Sequence, residues 1–105
     1  MINWKNMDTL ATYAELKAAK PVNVKEAMSG EAGAERVRAY SAPMGGKMDF
    51  NYGARPVDDA ILDVMQKFAD EQQLVEKFAA LYNGEVINTG EKRLVLHHLC
   101  RGQLG

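Results

Sequence analysis

The sequence predicts a mainly α chain with one small β-hairpin at about residues 40–52. Three observations carry that expectation. Between Val57 and Asn83, Ile61, Val64, Met65 and Phe68 fall at i, i+3, i+4 and i+7, the period of one helix face. Between Met48 and Tyr52 the period changes to two, with Met48, Phe50 and Tyr52 alternating with Asp49 and Asn51. Gly45-Gly46 lies just before that alternation and can supply the positive backbone angles of a tight hairpin turn.

The elements follow in order. Met7 to Lys20 reads as a helix, with Asp8 placed to accept from first-turn amides and Met7, Leu10 and Ala14 on one face beside Tyr13. Pro21 ends it, because proline disfavours helical geometry in the residue before it. Asn23-Val24-Lys25-Glu26 resembles a capping box and opens a short helix that stops near Gly30. Glu31 to Ala39 forms a third helix, weakened by Gly33. After the hairpin, Gly53 and Pro56 break the strand pattern. The helical stretch from Val57 is interrupted by Asp70-Glu71-Gln72-Gln73, where Asp70 and Gln73 can cap a fresh helix. Two helices joined at Asp70 are therefore expected. Leu74, Val75, Phe78, Ala79 and Tyr82 continue the apolar face, and Asn83-Gly84 ends it. Gly84 to Glu91 is turn-rich, and Arg93 to Arg101 is apolar and basic, a last helix or a buried turn.

Composition excludes several classes. With 105 residues, 47% hydrophobic and 26% charged, the chain is long enough for one small folded domain and is not disordered. Thirteen Lys+Arg against 14 Asp+Glu give a net charge of -1, so neither nucleic acid nor a membrane is expected as a partner. The amino terminus lacks the apolar core of a signal peptide, and one cysteine cannot form an internal disulfide. No apolar run approaches the roughly 20 residues that span a bilayer. The expected location is the cytoplasm.

The segment Gly84–Gly105 holds both histidines, the cysteine and a cluster of cations. His97, His98 and Cys100 are zinc-ligand types, but zinc needs three or four ligands in one geometry and adjacent His98 would point away from the other two. A Cys100 nucleophile with His97 at i, i+3 lacks an orienting third group. Lys92, Arg93, His97, His98 and Arg101 can hold a phosphate, but the spacing favours a solvated face or ion pairs with Glu85 and Glu91. Asp58, Asp59 and Asp63 could suggest acid-base chemistry, but Asp58 and Asp59 fit a helix start, where acids oppose the helix dipole. Tyr40, Phe50, Tyr52, Phe68, Phe78 and Tyr82 fit a core. No catalytic, cofactor-binding or metal residue is assigned, and no cofactor is expected.

The residues from Gly84 to Arg101 also carry a resemblance. They look like a hallmark of the glucose-6-phosphate isomerase family, close to Gly-Glu-x-Ile-Asn-x-Ser/Thr-Glu-x-Arg-x-Val-Leu-His-x-Ala-Leu-Arg. Gly84, Glu85, Ile87, Asn88, Glu91, Arg93, Val95, Leu96, His97 and Arg101 fall in register. Gly90 departs where Ser or Thr is usual, and Leu99-Cys100 stands for Ala-Leu. Upstream, Met48-Asp49-Phe50-Asn51-Tyr52-Gly53 resembles the family's strand ending in an Asp-Tyr or Asn-Tyr step, and the likeness extends back to about Arg36.

The resemblance implies interconversion of glucose 6-phosphate and fructose 6-phosphate through an enediol, in glycolysis and gluconeogenesis. It implies a cytosolic homodimer with two α/β sugar-isomerase domains and a sugar phosphate substrate in the full-length parent. The family's glutamate base, its ring-opening histidine and lysine and its phosphate-holding hydroxyls match no position here. Residues 1–105 are thus expected to be one N-terminal helical segment, inactive alone, with His97 a buried structural anchor. Leu94, Leu96, Leu99 and Leu104 would then lose their cover and expose an apolar patch. The alternative is a stand-alone helical interaction module.

Overall fold

The computed structural model describes residues 1–97. Its chain divides into two compact units, Ala19–Leu62 and a unit formed by Met1–Ala18 with the chain from Asp63 onward. Among the described residues helices dominate, as expected, with two small antiparallel sheets rather than one.

In the unit Ala19–Leu62 the first described element is the expected short helix, here α2 (Val24–Ala27). The Asn23 side chain accepts from the Glu26 N–H at 3.4 Å, which satisfies one of the free amides of the first turn. Helix α3 (Gly30–Ala39) follows after Met28 and Ser29. Gly33, expected only to weaken this helix, is buried, and a Cβ on it would run into the backbone carbonyl of Met28. The glycine is what lets the end of α2 lie against α3.

Strands β1 (Ser41–Gly45) and β2 (Met48–Asn51) form the expected hairpin, with Ser41 opposite Asn51, Ala42 opposite Phe50 and Pro43 opposite Asp49. Gly45 and Gly46 have φ of 101° and 60°, which only glycine adopts without strain. The alternation in β2 does not mark a half-buried strand: Met48 is 65% and Phe50 46% exposed. The period was legible, but two strands alone offer no second layer to cover either face.

The other unit begins differently from the expected single helix. Met7–Thr9 is one turn of 3-10 helix, Leu10 is extended (φ −88°, ψ 143°), and α1 spans Ala11–Ala18. The Thr9 hydroxyl closes the short turn on the Asn6 carbonyl at 2.7 Å, and no Asp8 cap forms. The extended backbone lets Leu10 turn inward, and it is buried.

Helix α4 (Asp59–Glu71) starts on Asp58, whose Oδ1 accepts from the Ile61 N–H at 2.8 Å. It runs past Asp70, whose side chain accepts from Gln66 four residues back at 2.9 Å and so caps nothing downstream. The break lies at Gln73, which is left-handed (φ 54°, ψ 47°), and α5 (Leu74–Tyr82) follows. Residues near the amino terminus clasp this joint. Asn3 N–H donates to the Gln73 side chain, and the Gln73 amide donates to the Met1 carbonyl at 3.3 Å. The Thr12 N–H donates to Glu71 at 3.1 Å, and the Thr12 hydroxyl donates to the same oxygen.

Helix α5 ends as Asn83-Gly84 foretells. Gly84 takes φ 75°, its N–H reaches the Leu81 carbonyl at 3.1 Å, and Glu85 N–H reaches the Ala80 carbonyl at 2.9 Å. That pair of bonds is the Schellman termination. A second hairpin, not expected from the sequence, then pairs β3 (Val86–Asn88) with β4 (Arg93–Leu94).

Candidate functional site

The described part of the candidate segment, Gly84 to His97, contains this last hairpin. Asn88 builds its turn. The Asn88 Oδ1 accepts from the Glu91 N–H at 3.2 Å, and its Nδ2 donates to the Glu91 carboxylate at 3.5 Å. An Asn side chain holding the backbone three residues on replaces a backbone turn bond. Lys92 follows with φ 54°, a left-handed residue that brings Arg93 back to pair with Asn88. Two residues of the Gly84–Arg101 pattern, Asn88 and Glu91, thus have a structural explanation, and Gly84 has another at the helix end. Gly90 sits in the turn without contributing a hydroxyl, and the Asn88–Glu91 bonds hold the turn in its place.

The cations do not converge among the described residues. Arg93 Nε lies 3.9 Å from the Glu91 carboxylate, both exposed, an ion pair of small energetic value. Lys92 and His97 are exposed. His97 is not the buried anchor expected: it is exposed, while Val95 and Leu96 before it are half-buried. His98, Cys100 and Arg101 lie outside the described residues. Among the described residues no group of three or more potential metal ligands comes together.

The carboxylates are accounted for locally. Asp58 caps α4, and Asp59 accepts from the Tyr40 hydroxyl at 2.8 Å. That hydrogen bond holds the Tyr40 pKa above the usual tyrosine value, with burial and the Asp59 charge adding to it. Asp63 is exposed. In the other unit, the Thr12 hydroxyl and N–H hold the Glu71 carboxyl below the usual glutamate range.

Sequence reasoning missed the most connected side chain. Arg36 on α3 donates through Nε to the Gly53 carbonyl at 2.6 Å, and through Nη2 to the Arg55 carbonyl at 2.9 Å and to the Val57 carbonyl. Its guanidinium also lies 4.6 Å from the centre of the Tyr40 ring, within cation–π range. Tyr40 stacks on Tyr52 at 5.2 Å, and Tyr52 on Phe50 at 6.1 Å. A cavity of about 310 Å³ beside this row is lined by Ala27, Ala32, Glu35, Arg36, Ala39, Tyr40 and Asp59. Its cation and its phenol are already committed to intramolecular partners. The one hint in the sequence was that the family resemblance begins near Arg36.

The aromatic residues expected in a core divide. Tyr13 meets Phe68 at 6.2 Å, but Phe50, Phe78 and Tyr82 are exposed. Phe50 and Phe78 carry the apolar period at exposed positions.

The geometry describes a helical segment whose recognisable residues shape caps and turns. The chain belongs to the phosphoglucose isomerase family, whose sequence model matches residues 51–104. That span opens at the last residue of β2 and takes in α4, α5 and the second hairpin. Among curated relatives, the chain is 44% identical over 108 residues to the glucose-6-phosphate isomerase of Treponema denticola, covering 98% of this chain and 21% of that one. It is 46% identical over 100 residues to that of Treponema pallidum, covering 95% and 19%. It is 37% identical over 106 residues to that of Borrelia garinii, covering 100% and 19%. The chain therefore spans about a fifth of the length of these relatives. No match is found among solved structures.

Proposed function

We propose that this chain is one segment of a glucose-6-phosphate isomerase, an enzyme that interconverts glucose 6-phosphate and fructose 6-phosphate by enediol proton transfer. The observation that carries the reading is the family match across residues 51–104, with its register in Gly84–Arg101. Residues 1–105 act as a single non-catalytic helical segment that precedes the sugar-isomerase domains. The complete enzyme is a cytoplasmic homodimer whose substrate is a sugar phosphate, and the 105 residues alone turn nothing over.

The role of the segment is to position. Asn88 and Glu91 set the turn, the Gly84 termination sets where the chain leaves α5, and Leu96 and His97 lead onward. The test is a chimera of the Treponema denticola isomerase in which the matched fifth is replaced by this chain. A coupled dehydrogenase assay reads fructose 6-phosphate conversion. Activity within about tenfold of the parent, a loss of no more than 1.4 kcal/mol in barrier terms, is expected. A folded chimera with no activity would sink the reading, as would turnover by the 105-residue chain alone.

A further inference from the structure

Helix α5 is apolar on the wrong side for a surface helix. It reads Leu74-Val75-Glu76-Lys77-Phe78-Ala79-Ala80-Leu81-Tyr82, with two charged residues in nine. Projected at about 100° per residue, Leu74, Phe78, Tyr82, Val75 and Ala79 share an arc of about 140°. That arc points outward: Leu74 is 58%, Val75 77% and Phe78 65% exposed. The opposite side holds Ala80, 2% exposed, with half-buried Lys77 beside it, while half-buried Leu81 borders the arc next to Leu74. Leu74, Val75 and Phe78 thus face outward, and Ala80 faces in. A helix apolar on both sides belongs between two layers of a body, not on its rim.

Two observations name what covers it. The exposed arc falls inside residues 51–104, the span matched by the family, and not in the part of the chain before it. The stretch this chain covers is only 21% of the Treponema denticola isomerase, so most of that polypeptide lies outside it. A second copy is a poor occupant. Nine residues of helix are about 13 Å long, and two such helices face to face fall short of the roughly 800 Å² per partner that a stable dimer buries. We propose that the outward face of α5, centred on Val75 and Phe78, is the seat onto which the remaining body of the isomerase polypeptide packs. The inference rests on the functional reading above and adds which face of which helix makes the junction.

The test is chemical access to that face. Val75→Cys is introduced in the 105-residue chain and in the chimeric isomerase, and alkylation is followed by mass spectrometry on the peptide that carries it. In the short chain the thiol should react as an exposed one. In the chimera it should react at least about 100-fold more slowly, since a covered site reacts only through local opening. Equal rates in the two proteins would overturn the proposal. So would protection in the short chain that grows with its concentration, because that means a second copy covers the face. Should the chimera not fold, a cysteine at the position aligned with Val75 in the unaltered Treponema denticola isomerase carries the same comparison, with fast alkylation there overturning it. The isomerase assay is read separately: a protected thiol in an inactive chimera keeps the docking seat and removes the functional reading, and an active chimera with a reactive thiol does the reverse.

Discussion

In the unit Ala19–Leu62 one cation gathers three backbone carbonyls from the chain between Gly53 and Val57 and stacks on Tyr40, while Asn51 ties the hairpin back to α3 through the Val37 carbonyl at 2.7 Å. In the other unit Leu10 and Ala80 are the buried apolar residues among those described, and α5 turns Leu74, Val75 and Phe78 outward. The first arrangement is completed by directional polar bonds made within the unit. The second leaves apolar area that water must cover until another surface does, at roughly 25 cal/mol for each Å² exposed. The difference teaches where each unit's determinants lie: in single polar side chains for one, and in a shared apolar layer for the other.

The comparison breaks most visibly at Leu10. Leu10→Ala removes one of the two enclosed apolar side chains among the described residues, and about 3 kcal/mol of stability should be lost, within the range for emptied leucine sites. Urea unfolding followed through the far-UV signal reads it. A loss below about 1 kcal/mol would mean that this unit is held mainly by its polar clasp at Thr12, Glu71 and Gln73. Arg36→Ala tests the opposite claim and should cost about 2 kcal/mol, since it strips a charged donor from carbonyls that are partly buried. Arg36→Lys should recover little of it, because an ammonium cannot reproduce the planar fork that reaches the three carbonyls. Amide exchange across Ser41–Asn51 would show the hairpin opening faster in both variants, and unchanged exchange would remove Arg36 from its place as organiser.

Gly33→Ala separates sequence logic from structural fact. In an open helix interior this change gains up to about 1 kcal/mol. Here the added methyl meets the Met28 carbonyl, so the sign should invert and about 1–2 kcal/mol should be lost as α2 and α3 are forced apart. A stabilised variant would show that the junction relaxes freely. Elements whose cause is local were legible in the sequence: the Asn23 cap, the glycine turn at Gly45-Gly46 and the Asn83-Gly84 helix end each follow from one or two residues. The second hairpin was not, because Val86–Asn88 and Arg93–Leu94 are too short to display a period. The α4–α5 break was displaced because Gln73 takes a left-handed backbone that its residue type does not announce, held by Asn3 and Met1 some 70 positions away in sequence. Arg36 was silent for the same reason: its partners are carbonyls, which every residue carries. The outward arc of α5 was read as a core face, since periodicity says that a face is apolar and not what lies over it.

The smallest expected effect distinguishes the units by pH. Glu71 has a lowered pKa in the folded chain because Thr12 donates to it twice. A depressed carboxyl contributes stability that is present above its unfolded value, near 4.5, and is lost as pH falls through the lowered folded value. Tyr40 has a raised pKa because its hydroxyl donates to Asp59. Its contribution is present below the unfolded value of 10.0 and is lost as pH rises through the raised folded value. Acid should therefore loosen the clasp at Thr12 first, and alkali the Tyr40–Asp59 contact first, each seen by amide exchange in its own unit. Thr12→Val should flatten the acid limb and leave the alkaline limb, while Tyr40→Phe should do the converse. If either substitution flattened both limbs, the two contacts would not be independent, and the division into a polar-held and an apolar-held unit would lose its energetic meaning.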